Sequence, residues 1–227
     1  MGVTENFRKI QDLLARAAVE AGRSPDQVRL LAASKRQPVS AVLEAAKAGQ
    51  RDFGENTAQE GIDKMTEVGR DDLVWHFIGH LQTNKTRLVA EHFSWVHTVD
   101  RLKIAERLSD QRPSDATPLN VCIQVNIDDE PSKSGIAASG LQPLADAIAG
   151  LPRIRLRGLM CLPAIRQGFD RQREPFARLR ELLDSLNATG LNLDTLSMGM
   201  SADFAAAIHE GATIVRIGTA LFGERSR

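Results

Sequence analysis

The sequence predicts a single (β/α)8 barrel preceded by one extra helix. Short apolar runs alternate with segments of helical period about eight times along 227 residues, with no linker, composition break or run of hairpin turns. Such alternation calls for parallel strands joined by helical crossovers, and eight units close the sheet. The length lies just under the ~250 residues typical of such barrels, leaving almost nothing for a second domain. Residues 1–227 are therefore expected to form one domain. The alternative, an open doubly wound sheet, normally carries a glycine-rich turn after its first strand, and LLAASKRQP at 30–38 has no glycine.

The elements follow in order. Residues 3–21 make the extra helix, because Phe7, Ile10, Leu13, Leu14 and Ala17 fall on one helical face and Gly22 ends it. The run VRLLAA gives a strand at 28–33, followed by a helix at 39–48. Further apolar runs place strands at 51–53, 74–79, 95–99, 121–127, 156–161, 195–197 and 213–217. Segments of helical period between them fall at 58–68, 85–92, 101–108, 141–149, 175–186 and 202–210, with a short helix after Gly218. In the fifth strand Val121, Ile123, Val125 and Ile127 share one face, while Asn120, Cys122, Gln124 and Asn126 share the other. The apolar face suits packing on helices. The polar face then points to the barrel axis and predicts a polar interior near the mouth.

Composition narrows the function classes. Lys plus Arg and Asp plus Glu both number 29, so no global field attracts nucleic acid or anionic lipid, and no basic patch interleaved with aromatics replaces it. No apolar run approaches the ~20 residues that span a bilayer. Residues 1–9 lack the basic-then-apolar order of a secretory signal, and Asn6 stands where a myristoylation motif wants Ser or Thr. A cytoplasmic monomer is the expectation. Cys122 and Cys161 sit in strand-like runs without CxxC spacing and read as buried free thiols. The sequence contains no Tyr.

In a barrel the C-terminal strand ends share one mouth, where sites assemble. Lys35, one residue past Ser34 at the end of the first strand, is the sharpest candidate: over apolar walls its ammonium is disfavoured, giving an amine able to condense with an aldehyde. A lone strand-end lysine is more often simply solvated, and so is its neighbour Arg36. Arg216 interrupts an otherwise apolar last strand and cannot shed its charge, so it needs a carboxylate, a phosphate or a ligand nitrogen. Gly218 and Thr219 then open a short helix whose free N–H groups suit a phosphate. Ser201 opens the helix at 202–210, as a plain N-cap or as a phosphate contact. Asn56 in FGEN either completes a turn or faces a ligand. His76 and His80 lie in a strand pattern, where four residues cover ~13 Å, so no metal site is assigned. Lys133, in the loop at 131–135, is read as solvated but able to reach a ligand.

An amine on strand one, a phosphate cradle after strands seven and eight, and an arginine beneath the ring position fit pyridoxal 5′-phosphate. The motifs LLAASKRQP, FGEN, WHFIGHLQTNK, SKSG, LRGLM, LSMGMS and VRIGTALFG also resemble, in order and over nearly the whole chain, those of the YggS/PROSC family of pyridoxal-phosphate homeostasis proteins. The resemblance implies a barrel similar to the N-terminal domain of alanine racemase and an internal aldimine on Lys35. It further implies phosphate contacts from Ser201, Gly218 and Thr219, Arg216 facing the pyridine nitrogen, and Asn56 near the cofactor. Thr57 stands where relatives often carry Tyr or Arg, and His80 where many have Pro; both alter the rim.

The expected function is therefore to hold and hand over pyridoxal 5′-phosphate without turnover, with PLP-dependent apoenzymes as candidate recipients. An arginine at the ring nitrogen leaves it unprotonated and weakens the electron sink. Racemases of the related fold pair the lysine with a tyrosine base, which this sequence lacks. The rivals are an amino-acid racemase using Lys35 with water or Lys133, a cofactor-free Schiff-base aldolase, and an interaction scaffold in which neither Lys35 nor Arg216 matters.

Overall fold

In a computed structural model describing residues 2–130 and 133–223, eight parallel strands close into a barrel in sequential order, β1 to β8. Closure runs through four paired positions of β1 (Arg29–Ala33) and β8 (Ile214–Ile217), from Arg29 against Ile214 to Ala32 against Ile217. The other strands are β2 (Asp52–Glu55), β3 (Val74–Phe77), β4 (Trp95–Val99), β5 (Leu119–Val125), β6 (Ile154–Cys161) and β7 (Thr195–Ser197). The helices are α1 (Val3–Glu20), α2 (Val39–Lys47), α3 (Ala58–Val68), α4 (Thr86–His92), α5 (Leu102–Gln111), α6 (Leu141–Ala149), α7 (Phe169–Ala188), α8 (Phe204–His209) and α9 (Thr219–Phe222).

Strand alternation sorts the side chains into two zones. Outward residues such as Phe53, Trp75, Phe77, Val121, Ile123 and Val125 join the apolar layer against the helices. Inward residues form a smaller cluster of Trp95, Cys122 and Met160, with Val74 packed on it. Around that cluster the bore is polar: His76, His97, Ser197 and Arg216 are all buried within it. The apolar outer face expected for the fifth strand is present in Val121, Ile123 and Val125, whereas its inward Cys122 joins the small apolar cluster and the buried polar groups named above come from β3, β4, β7 and β8. Cys122 and Cys161 are buried free thiols, and burial pushes both up to about 12.

Several boundaries differ from expectation for identifiable reasons. The helix expected from Pro175 begins six residues earlier, at Phe169, and carries Pro175 inside it. The proline therefore removes one intrahelical donor rather than starting the helix. Ser201 does not open α8. Residues 201–203 form a turn in which Asp203 Oδ1 accepts the Met200 N–H at 2.6 Å, and Asp203 is the N-cap. Leu13, placed on the buried stripe of α1 by its spacing, is 40 % exposed, whereas Phe7, Ile10, Leu14, Ala17 and Ala18 are buried. The third strand stops at Phe77 because the chain turns so that Gly79 lies directly on Asn56, where a Cβ would fall 1.9 Å from the Asn56 carbonyl oxygen.

Among the described residues no helix is long and apolar enough to cross a membrane.

Candidate functional site

A cavity of about 250 Å³ opens at the C-terminal mouth, a little below the ~300–1,000 Å³ usual for small-molecule sites. It gathers all six residues singled out in the sequence: Lys35, Asn56, Ser201, Arg216, Gly218 and Thr219. Ile78, Met160, Leu162 and Met200 supply apolar walls, and none of these had been selected as site residues. A larger cleft, about 500 Å³, lies at the opposite end, lined by the first residues of several strands. Its arginines are already engaged. Arg23 donates to the carbonyls of Ile208 and Ala212, Arg29 pairs with Asp52, and Arg157 clasps Asp194.

Lys35 extends the inward phase of Arg29, Leu31 and Ala33 by one more step. It sits in a turn closed by the Gln37 N–H donating to the Ser34 carbonyl at 3.0 Å, with Arg36 in the left-handed region at φ +59°. Asn56 follows β2 directly, and its buried Oδ1 has no hydrogen-bond partner among the described residues. Such an orphaned acceptor beside a cavity fits an incoming donor. Gly218 lies against β1, where a Cβ would approach the Ala33 oxygen to 3.1 Å, so a larger residue would fill the cradle after β8. The first N–H groups of α9 have no intrahelical acceptor.

Arg216 is only 6 % exposed, and among the described residues no carboxylate forms an ion pair with it. Its Nη1 donates to Ser197 Oγ at 2.8 Å and its Nη2 to the Cys161 carbonyl at 2.9 Å. Of the acceptors the sequence leaves open to it, a carboxylate is therefore not the one that holds it among the described residues. Burial lowers its pKa from the ordinary arginine value, opposed by Cys161, Asp203 and Cys122.

Behind Arg216 a hydrogen-bond chain runs through the bore. Ser197 Oγ lies 2.7 Å from His97 Nδ1, His97 Nε2 lies 2.9 Å from His76 Nδ1, and His76 Nε2 lies 2.9 Å from Asp52 Oδ1. Its ends fix its direction, since a guanidinium only donates and a carboxylate only accepts. Ser197 therefore gives its proton to His97, His97 to His76, and His76 to Asp52. Both imidazoles are neutral in this arrangement. Burial lowers the His76 pKa against the pull of Asp52; burial, His76 and Arg216 hold His97 well below the ordinary value. Sequence inspection missed Ser197, His97 and Asp52 as supports.

His76 and His80 do not converge. The first is buried in the bore, while His80 is exposed and lines a rim cavity with Thr57 and Lys85. Lys133 is not a free rim amine. It bonds Asp128 Oδ2 and Glu130 Oε1, both at 3.1 Å, and these carboxylates outweigh desolvation and raise its pKa. Pro131 and Ser132, beside it in the predicted loop, lie outside the described residues.

The sequence matches the family described as alanine racemase, N-terminal domain, over residues 6–226. It is 58% identical over 223 residues to the pyridoxal phosphate homeostasis protein of Pseudomonas aeruginosa, covering 98% of this chain and 96% of that one. The protein of the same name from Escherichia coli is 54% identical over 226 residues, covering 98% and 97%. Among solved structures, PipY of Synechococcus elongatus with PLP bound superposes with a TM-score of 0.84 at 35% identity, covering 97% of this chain and all 100% of that one. Alanine racemase from Corynebacterium glutamicum shares the fold, with a TM-score of 0.73 at 19% identity, and this chain covers 61% of it. Identity at this level across almost the full length, on a closed parallel barrel, shows that the chain belongs to the pyridoxal phosphate homeostasis protein family.

Proposed function

We propose that the protein binds pyridoxal 5′-phosphate in the mouth cavity and holds it for release to PLP-dependent apoenzymes, without turning over a substrate of its own. The observation that carries this reading is the buried Arg216, unanswered by any carboxylate among the described residues, at the floor of a cavity that also contains Lys35 and the Gly218–Thr219 cradle. A charge that cannot be discarded, hydrogen-bonded among the described residues to a hydroxyl and a carbonyl, suits a neutral ring nitrogen that accepts a hydrogen bond. The cofactor would bring an aldehyde that condenses with amines and a phosphate that carries negative charge. Lys35 supplies the amine for the first. Ser201, Gly218 and Thr219 supply N–H and O–H donors for the second. Asn56 offers its open Oδ1 to a donor on the ring.

The same residues argue against racemisation. A second proton carrier is required on the far face of the substrate, the sequence has no Tyr, and Lys133 is committed to Asp128 and Glu130 as an ammonium. Borohydride reduction of the loaded protein followed by peptide mapping is the test. The label is expected on Lys35. A label on another lysine would refute the assignment, and sustained loss of optical activity from single amino-acid enantiomers would refute the absence of turnover.

A further inference from the structure

The turn that carries Lys35 is held from behind by one buried ammonium, and this inference rests on the reading of Lys35 as the aldehyde-capturing amine. Lys64, on α3, is 7 % exposed. Its Nζ donates to the Ser34 carbonyl at 2.6 Å, to Glu55 Oε1 at 2.8 Å and to Glu60 Oε1 at 2.8 Å, which uses all three of its protons. Glu60 Oε1 in turn accepts the Arg36 N–H. Ser34 Oγ donates to Glu55 Oε1 at 2.7 Å, and the Ser34 N–H reaches the Gly54 carbonyl at 3.0 Å.

The Ser34 carbonyl and the Arg36 N–H belong to the two peptide units that flank Lys35. Both are therefore tied to Lys64, one directly and one through Glu60. Arg36 also takes a left-handed conformation at φ +59°, which a non-glycine residue keeps only where its surroundings over-determine it. A solvated strand-end lysine needs none of this. A nucleophile that must meet a ligand anchored elsewhere does, because misplacement by an ångström costs orders of magnitude in rate.

We propose that Lys64, acting with Glu60 and Glu55, is the positioning residue of the site: it locks the Ser34–Gln37 turn so that the Lys35 amine is presented to the cavity for reaction with an aldehyde. Lys64 itself, with its three protons engaged on acceptors, takes no part in the bond that forms.

The test separates capture from binding. Pyridoxal 5′-phosphate, followed by its absorption change and borohydride trapping at Lys35, reports capture; pyridoxine 5′-phosphate, which has the same ring and phosphate but no aldehyde, reports binding by calorimetry. Lys64→Met strands two carboxylates and costs stability, so Glu60→Ala, at a partly exposed position, is the second variant: it releases the Arg36 N–H and one of the three Lys64 donors while the bonds of Lys64 to Ser34 and Glu55 remain. In both, the capture rate constant is expected to fall about tenfold or more. The affinity for pyridoxine 5′-phosphate is expected to stay within about twofold. Capture by Glu60→Ala at the wild-type rate, or parallel losses for both ligands, would overturn the positioning role. Failure of the wild-type protein to trap the aldehyde at Lys35 would instead overturn the binding reading, and this inference with it.

Discussion

Arg216 and Ser197 show how a single residue is made useful by its neighbours. Ser197 Oγ accepts from Arg216 and donates to His97, so one hydroxyl joins the cavity to the histidine pair. Ser197→Ala leaves a buried guanidinium donor and a buried imidazole acceptor without partners, a loss of about 2–3 kcal/mol by the usual cost of stranded polar groups. Urea unfolding of the unliganded protein is expected to show that loss. Pyridoxal 5′-phosphate affinity is expected to weaken as well, since Arg216 loses one of its two tethers. Unchanged unfolding would mean that the hydroxyl is not the hub. Arg216 is legible in the sequence because it breaks an apolar run, where a charge needs a reason, and Lys35 because an amine follows the mouth end of the first strand. Ser197 and His97 are not, because a serine ending a three-residue strand and a histidine inside an apolar run carry no signal until position 97 is brought against position 197.

At the scale of elements, close approach decides more than propensity does. Between β5 and β6 the register slips so that Val121 faces Leu156 but Cys122 faces Gly158, leaving Arg157 as the extra residue. There Gly158 touches β7, and an added Cβ would lie 1.8 Å from the Thr195 oxygen. Gly79 makes the corresponding approach at the mouth, on Asn56. The two glycines should therefore differ in consequence. Gly158→Ala is expected to cost about 3 kcal/mol in denaturant unfolding, the upper end for overpacking, with the cavity intact. Gly79→Ala is expected to displace Asn56 and weaken pyridoxal 5′-phosphate binding in a titration by more than its loss of stability explains. Equal effects of the two on binding would contradict this division. The periodicity of the sequence placed every strand and helix, yet misjudged where α7 and α8 begin. Helical period alone starts the seventh of these helices at Pro175, and Ser201 is placed at the opening of the next as an N-cap or a phosphate contact. The helix of Phe169–Ala188 tolerates the proline, and Asp203 rather than Ser201 stands at the N-cap of α8, its side chain accepting the Met200 N–H.

For the whole molecule, the chain from Arg216 to Asp52 makes stability depend on pH. His76 and His97 both have folded pKa values below the ordinary value of about 6.5, so on acidification the unfolded chain takes up protons before the folded one. Their contribution is complete above that pH and declines as pH falls toward the folded values, by at most about 1.4 kcal/mol per pH unit for each histidine. Asp52, Arg29 and Arg216 are the charged groups facing the pair, and the two arginines reinforce the shift of His97. Urea midpoints measured between about pH 7 and about pH 5 should fall more steeply for the wild type than for His97→Asn. Parallel profiles would show that the pair does not titrate on unfolding.

The sequence by itself determined the barrel, the family resemblance and the six residues around the mouth. Those follow from local information: the alternation of strand and helix period, the absence of a glycine turn after the first strand, an arginine inside an apolar strand, and polar residues and a glycine placed at strand ends and helix starts. Only the tertiary structure decided what stands behind them. Lys64 under the Lys35 turn and the direction of the Ser197–His97–His76–Asp52 chain join side chains across elements. Periodicity fixes which face a side chain occupies, but it does not say which residue of another strand or loop meets it there, and a hydrogen bond depends on that meeting.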